Sequence, residues 1–158
     1  MMNDEILRIN GFEIVEDGFD QDKNKYYEGI FTQGNGYFHV RGSFEEGLAD
    51  APQNEVYTRT MKSVTTEQQR HPLSKQGTFL PLMMGKHPFL EEVIINLPYF
   101  MRIEIAAGNE KLDMIRSDIR DYRRVLNMKT GELTRSFTWN FQGLQVLMKS
   151  DCLYSRQT

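Results

Sequence analysis

Along most of this chain, apolar and polar residues alternate over short runs divided by turn-forming residues. In YFHVR (residues 37–41), Phe38 and Val40 fall on one face of an extended chain, with Tyr37, His39 and Arg41 on the other. The run follows Gly34-Asn35-Gly36, residue types that tolerate positive φ and suit a tight reversal. Gly42 and Gly47 then punctuate a second irregular segment. Upstream, ILRINGFEIVEDGF (residues 6–19) predicts two strands around an Asn10-Gly11 turn, with Asp17-Gly18 as the next turn. Residues 20–26, DQDKNKY, read as a polar surface loop, after which Ile30 and Phe31 resume the apolar pattern.

Residues 48–76 are polar, hold Pro52 and Pro72, and read as a long excursion. In VIINLPYFMRIEI (residues 93–105), Pro98 breaks the run because it cannot donate to a sheet ladder. Beyond it, Met101, Ile103 and Ile105 alternate with Phe100, Arg102 and Glu104, predicting a further strand that turns at Ala107-Gly108-Asn109 and returns through Lys111 and Leu112. The strongest hairpin signal is VLNMKTGELTRSFTWNF, with its turn at Lys129-Thr130-Gly131. Leu133, Arg135, Phe137 and Trp139 share one face, so Leu133, Phe137 and Trp139 are expected to line the core. Arg135 on that face is expected at the sheet margin with its head in water, or on a face only partly buried. Gln142-Gly143 turns the chain into LQVLMKS. No apolar stripe of helical period is sustained anywhere, so the prediction is all-β, an antiparallel β-sandwich, with residues 1–158 as one domain or part of one.

A net charge of −3 offers no electrostatic footprint for nucleic acid. The longest apolar runs are too short to span a bilayer, and the acidic N-terminus does not resemble a signal peptide. The single cysteine, Cys152, rules out an internal disulfide and suits a reducing, cytoplasmic setting; it reads as a buried thiol.

Candidate chemistry is sparse. Glu45 and Glu46 are the tempting carboxylate pair, yet neighbours on an extended chain point to opposite faces, which favours a solvated or salt-bridged turn. His39, His71 and His87 lack metal-ligand spacing, so no metal and no cofactor is expected. Gly34-Asn35-Gly36 is no phosphate loop, since it leads into a strand rather than a helix. Asp118, Arg120, Asp121, Arg123 and Arg124 form a mixed-sign run expected to be solvated or ion-paired at the surface. Tyr37, Tyr99, Phe100 and Trp139 could stack on sugar rings, but aromatic residues of a small sandwich more often fill its core. Arg41 is expected to form a structural ion pair with Glu45, Glu46 or Asp121, holding the corner that FEEG makes.

Three separated blocks, FTQGNGYFHVRGSFEEG, INLP and IRDYRRVLNMKTGELTRSFTW, resemble the N-terminal domain of glycoside hydrolase family 65 over roughly residues 28–140. The motif positions here are Gly34, Asn35, Gly36, Tyr37, Arg41, Gly42, Glu45, Glu46, Asp121 and Arg123. The resemblance implies structural roles for them, in a β-sandwich that precedes an (α/α)6 barrel. That barrel would supply the general-acid glutamate and the phosphate or water site. His39 departs from the pattern after GNGY, and residues 79–95 match none of it. The chain ends at Thr158, before any barrel, so no catalytic residue can be placed on it. The implied parent cleaves an α-linked glucosyl disaccharide of the maltose, trehalose or kojibiose type by inverting phosphorolysis or hydrolysis, with inorganic phosphate as the other substrate. The alternative is a free-standing β-sandwich that binds carbohydrate or protein. A sandwich cut partway leaves open edges, so self-association or a homodimer is also expected.

Overall fold

The computed structural model describes residues 6–46, 78–85, 93–97 and 100–153. The excursion at 48–76, together with Gly47, His71, His87 and Tyr99, lies outside them. The strands in chain order are β1 (Leu7–Asn10), β2 (Glu13–Asp17), β3 (Gln33–Gly34), β4 (His39–Val40), β5 (Thr78–Gly85), β6 (Val93–Leu97), β7 (Ala106–Ala107), β8 (Glu110–Lys111), β9 (Asp118–Asn127), β10 (Glu132–Phe141) and β11 (Leu144–Leu153), with one helix, α1 (Asn24–Ile30). They form a five-stranded sheet β1-β2-β9-β10-β11, a four-stranded sheet β3-β4-β5-β6 and the small hairpin β7-β8, and the strands pair antiparallel throughout the described residues. The all-β antiparallel architecture read from alternation is the architecture observed.

The turns fall where the glycines predicted them. Gly11, Gly18, Gly36, Gly108, Gly131 and Gly143 all have positive φ. At the β3–β4 reversal, the Asn35 side chain accepts from the backbone N–H of Tyr37 and Phe38, at 3.1 and 3.2 Å. Gly34 stands opposite His39 in the ladder, and a Cβ there would lie 2.0 Å from the His39 ring.

Gly42 answers to crowding rather than to φ. A Cβ on it would lie 2.6 Å from Phe31 Cβ and 2.7 Å from the Phe31 carbonyl oxygen. Gly42→Ala is therefore expected to cost about 1–3 kcal/mol, because backbone rather than a flexible side chain must give way. A urea melt of the variant that overlays the parent's would contradict this close approach.

Two expectations fail locally. Residues 24–30, assigned in part to a polar loop, form α1. Its buried positions are Asn24, Tyr27 and Glu28, followed by Phe31. That is the i, i+3, i+4, i+7 spacing of a helix, hidden because two of the four are polar. The predicted strand after Pro98 also fails: residues 101–105 are irregular, and Ile103 is exposed. Its backbone N–H donates to the Glu45 carbonyl at 2.8 Å, so the segment is tied to a loop, not to a ladder.

One face of the five-stranded sheet carries the core. Phe44, Leu112, Met114, Tyr122, Phe137 and Trp139 form one cluster, against which Ile105, Ala107, Ile119 and Met148 pack. Tyr27, Phe31 and Leu126 form a second, joined by Ile14 and Leu133. Phe137 and Trp139 are buried as predicted, and Leu133 is half-buried at the second cluster. A β-bulge sits between the pairs Ser136↔Arg123 and Thr138↔Arg120, where Asp121 has φ 51°. It shifts the phase of β9. Ile119 packs on the core before it, and Tyr122, Arg124 and Leu126 are buried after it.

Candidate functional site: a loop held by buried arginines

The chain between β4 and the undescribed segment, residues 41–46 (RGSFEE), lies over the centre of the large sheet. Two arginines of that sheet hold it. Arg124 and Arg135 are cross-strand partners on β9 and β10, and Glu16 on β2 is the cross-strand partner of Arg124. All three are buried. Like charges directly opposite one another in a sheet are destabilising, so this row needs compensation.

Three carboxylates supply it. Arg124 donates through Nε to Glu16 at 2.7 Å and through a terminal nitrogen to the Gly42 carbonyl at 2.5 Å. Arg135 grips Glu46 with both terminal nitrogens, at 2.9 and 2.5 Å, and one of them also lies 2.7 Å from Glu45. Two guanidinium charges thus meet Glu16, Glu45 and Glu46. The Phe44 ring lies between the two cations, 5.6 Å from the Arg124 and 4.9 Å from the Arg135 guanidinium carbon. Arg124 also stacks 4.3 Å above the Phe31 ring. Burial pushes the Glu16 carboxyl above its ordinary range, with Arg124 and the Tyr122 hydroxyl opposing that rise. Burial likewise raises Tyr122, while for Arg135 the attraction of Glu46 and Glu45 outweighs desolvation and raises it.

Several sequence expectations are corrected here. Arg41 does not pair with Glu45, Glu46 or Asp121. It reaches the buried Glu28 at 4.0 Å and donates to the Lys25 carbonyl at 3.0 Å, so it ties this loop to α1. Arg135 is not at the margin with its head in water; its side chain is 7 % exposed. Glu45 and Glu46 do not diverge. They sit in a turn, where the alternation of an extended chain does not apply, and both reach one guanidinium. Arg124 leaves the surface run in which the sequence placed it. Arg123 stays there, 2.7 Å from Asp17, and Asp121 is exposed at the bulge. Tyr37 and Phe100 are exposed, Trp139 is core, and Cys152 is only half-buried.

Arg41→Met should cost about 1–3 kcal/mol, because the partner it deserts, Glu28, is fully buried. Chemical denaturation measures this, and a change under about 0.5 kcal/mol, the usual range for surface substitutions, would remove Arg41 from the set.

The arrangement suits anchoring. Its carboxylates are engaged by arginines beneath the surface, so none is presented to a substrate. Among the described residues, no group of three or more His, Cys, Asp and Glu side chains is placed to hold a metal ion. A shallow hollow of about 420 Å³ lies elsewhere, lined by Asp118, Arg120, Asn140 and the β10–β11 turn. There Asp118 is held below the usual carboxylate range by hydrogen bonds from Asn140 and Arg120. No helix of the described chain is long and apolar enough to cross a membrane.

Residues 14–158 match the family described as glycosyl hydrolase family 65, N-terminal domain. The chain belongs to that family. Its curated relatives include the maltose phosphorylase of Bacillus subtilis, 28% identical over 151 residues, which cover 96% of this chain and 18% of the relative. The kojibiose phosphorylase of Thermoanaerobacter brockii is 28% identical over 78% of this chain and 13% of its own length. The α,α-trehalose phosphorylase of the same organism is 29% identical over 85% and 16%. Among solved structures, one from the human microbiome, provisionally named a kojibiose phosphorylase, superposes with a TM-score of 0.66 at 22% identity, covering 92% of this chain and 18% of that one. The family 65 chain described here thus spans less than a fifth of the length of these relatives. The buried arginines fall inside the matched residues, as do all ten motif positions read from the sequence.

Proposed function

We propose that this chain is the non-catalytic N-terminal domain of an enzyme that converts an α-linked glucosyl disaccharide and inorganic phosphate to β-glucose 1-phosphate and glucose. The reading rests on one observation above the others. Nearly the whole chain matches the family 65 N-terminal domain, and its curated relatives include phosphorylases of maltose, kojibiose and trehalose. Within this reading, Gly34, Asn35, Gly36 and Tyr37 shape the entrance to β4, Arg41 and Gly42 bind the loop to α1 and Phe31, and Glu45 and Glu46 lock it to the sheet. Asp121 and Arg123 form the bulge and its surface pair. A chain with a single cysteine is at home in the cytoplasm.

Inverting cleavage needs a general acid on the leaving oxygen and a nucleophile on the opposite ring face. Glu45 and Glu46 cannot divide those roles while sharing one guanidinium. Incubated with maltose, kojibiose or trehalose and phosphate, the purified 158-residue chain is expected to release no glucose above a buffer blank. A protein carrying this domain together with a barrel should release glucose from one of the three only when phosphate is present. Release by the short chain that disappears in Glu46→Gln would overturn the non-catalytic reading. Phosphate-independent release by the longer protein would favour hydrolysis.

A further inference from the structure

The sequence holds two Asn-Gly pairs, Asn10-Gly11 and Asn35-Gly36, each followed by an aromatic residue, Phe12 or Tyr37. The fold gives both the same setting. Asn10 pairs with Glu13 across the β1–β2 turn, and Asn35 donates its backbone N–H to the Phe38 carbonyl across the β3–β4 turn. In each turn the glycine comes first, with φ 60° at Gly11 and 89° at Gly36. The aromatic residues that follow, Phe12 and Tyr37, are each 65% exposed.

The two asparagines differ in their side chains. Asn35 Oδ1 accepts from the backbone N–H of Tyr37 and of Phe38, so its amide is folded over the turn. Asn10 is exposed, and its side chain makes no hydrogen bond among the described residues. The difference bears on reactivity, because glycine has no Cβ to crowd the backbone nitrogen that follows an asparagine. That nitrogen reaches the asparagine's own side-chain carbon once the side chain turns towards it. Asn10 can turn at no cost in contacts. Asn35 must first give up both its hydrogen bonds, which lowers its reactive population about tenfold or more.

We infer that Asn10 is a site of spontaneous deamidation, and that the fold withholds the same reaction from Asn35. The Gly11 nitrogen loses its proton and attacks Asn10 Cγ, forming an N–Cγ bond. The Cγ–Nδ2 bond breaks, and the amide leaves with one added proton as ammonia. Water then opens the cyclic imide at either carbonyl, giving aspartate or isoaspartate. The sum is a water consumed and an ammonia released, with nothing oxidised or reduced. The reaction is intramolecular, so the conformation of the turn governs it rather than the approach of a reagent. Either product bears on β1. Aspartate sets a carboxylate opposite Glu13, and like charges facing across a ladder destabilise it. Isoaspartate routes the main chain through the side-chain carbon, which lengthens the backbone at the last pair of the β1–β2 ladder.

Peptide mapping by mass spectrometry tests the inference, because an amide turned into an acid gains mass. The 158-residue chain, kept folded in warm, mildly alkaline buffer, should deamidate at Asn10 about tenfold or more faster than at Asn35. In urea, where both pairs lie in unfolded chain with similar neighbours, the two rates should agree within about twofold. That convergence separates a protection made by the fold from one made by the sequence. Asn10→Asp should lower the urea midpoint of unfolding, and adding Glu13→Gln should restore part of the loss. The inference fails if Asn35 reacts as fast as Asn10 in the folded chain, or if Asn10 stays intact there while reacting in urea. A rate difference that survives undiminished in urea would also overturn it, since the turns would then play no part.

Discussion

Replacing Arg135 with methionine is expected to cost about 3–5 kcal/mol, among the largest effects of any single substitution here. The size comes from what is left behind. Arg135 is 7% exposed, and Glu46, its bidentate partner, is 1% exposed. Methionine fills much of the volume but leaves Glu45 and Glu46 with no cation among the described residues, and an uncompensated buried charge is far more costly than a lost surface pair. Phe44 would also lose one of the two guanidinium groups that flank its ring. Against a total stability of about 5–15 kcal/mol, such a loss leaves the domain marginal. Urea denaturation provides the number. Adding Glu45→Gln and Glu46→Gln to the methionine variant should recover part of it, because the stranded charges are then gone. A loss under about 1 kcal/mol, or no recovery in the triple variant, would mean that the loop is held by other contacts.

Trp139→Ala should cost a similar amount, about 3–5 kcal/mol, by a different route. Its ring is 1% exposed, packs 5.4 Å from the Phe141 ring, and belongs to the cluster that Phe44, Leu112, Met114, Tyr122 and Phe137 complete. Alanine would leave a cavity walled by two strands and a loop that cannot close on it. Trp139→Phe should cost much less. The indole N–H finds no hydrogen-bond acceptor among the described residues, so phenylalanine gives up volume but no polar contact seen there. Thermal unfolding of the two variants separates the cases. Equal losses would show that the indole makes a polar contact after all.

Much of this domain was legible in one dimension. Alternation in ELTRSFTWNF identified the buried face of β10, and glycine-bearing turns located the hairpins, because strand period and positive φ are local properties. The same local signals, with the family resemblance, led to the β-sandwich class and to the loop from Gly34 to Glu46. Arg135 was even placed on the correct face; only the inference drawn from its charge was wrong.

What the chain could not disclose alone is which charges meet. Glu16, Arg124 and Arg135 are separated by up to 119 positions in the chain, yet β2, β9 and β10 set them side by side in one row. Glu16 shares its strand parity with Ile14, and Arg124 with Leu126, but Val15 of the opposite parity is buried too, so parity alone does not single them out. Reading a charged residue as buried requires its partner, and the partner arrives only when strands distant in sequence pair. The bulge at Asp121 shows the same limit, since one extra residue inverts the faces of a strand and no local composition announces it. The turn at Glu45 and Glu46 completes the case. Chain geometry in isolation sends adjacent side chains apart, and only Arg135 rising from the sheet beneath brings both carboxylates to one cation. Periodicity and turn chemistry therefore reside in the sequence, whereas the buried electrostatics that pin the loop exist only in the folded sheet, because ion pairing depends on distance in space and not along the chain.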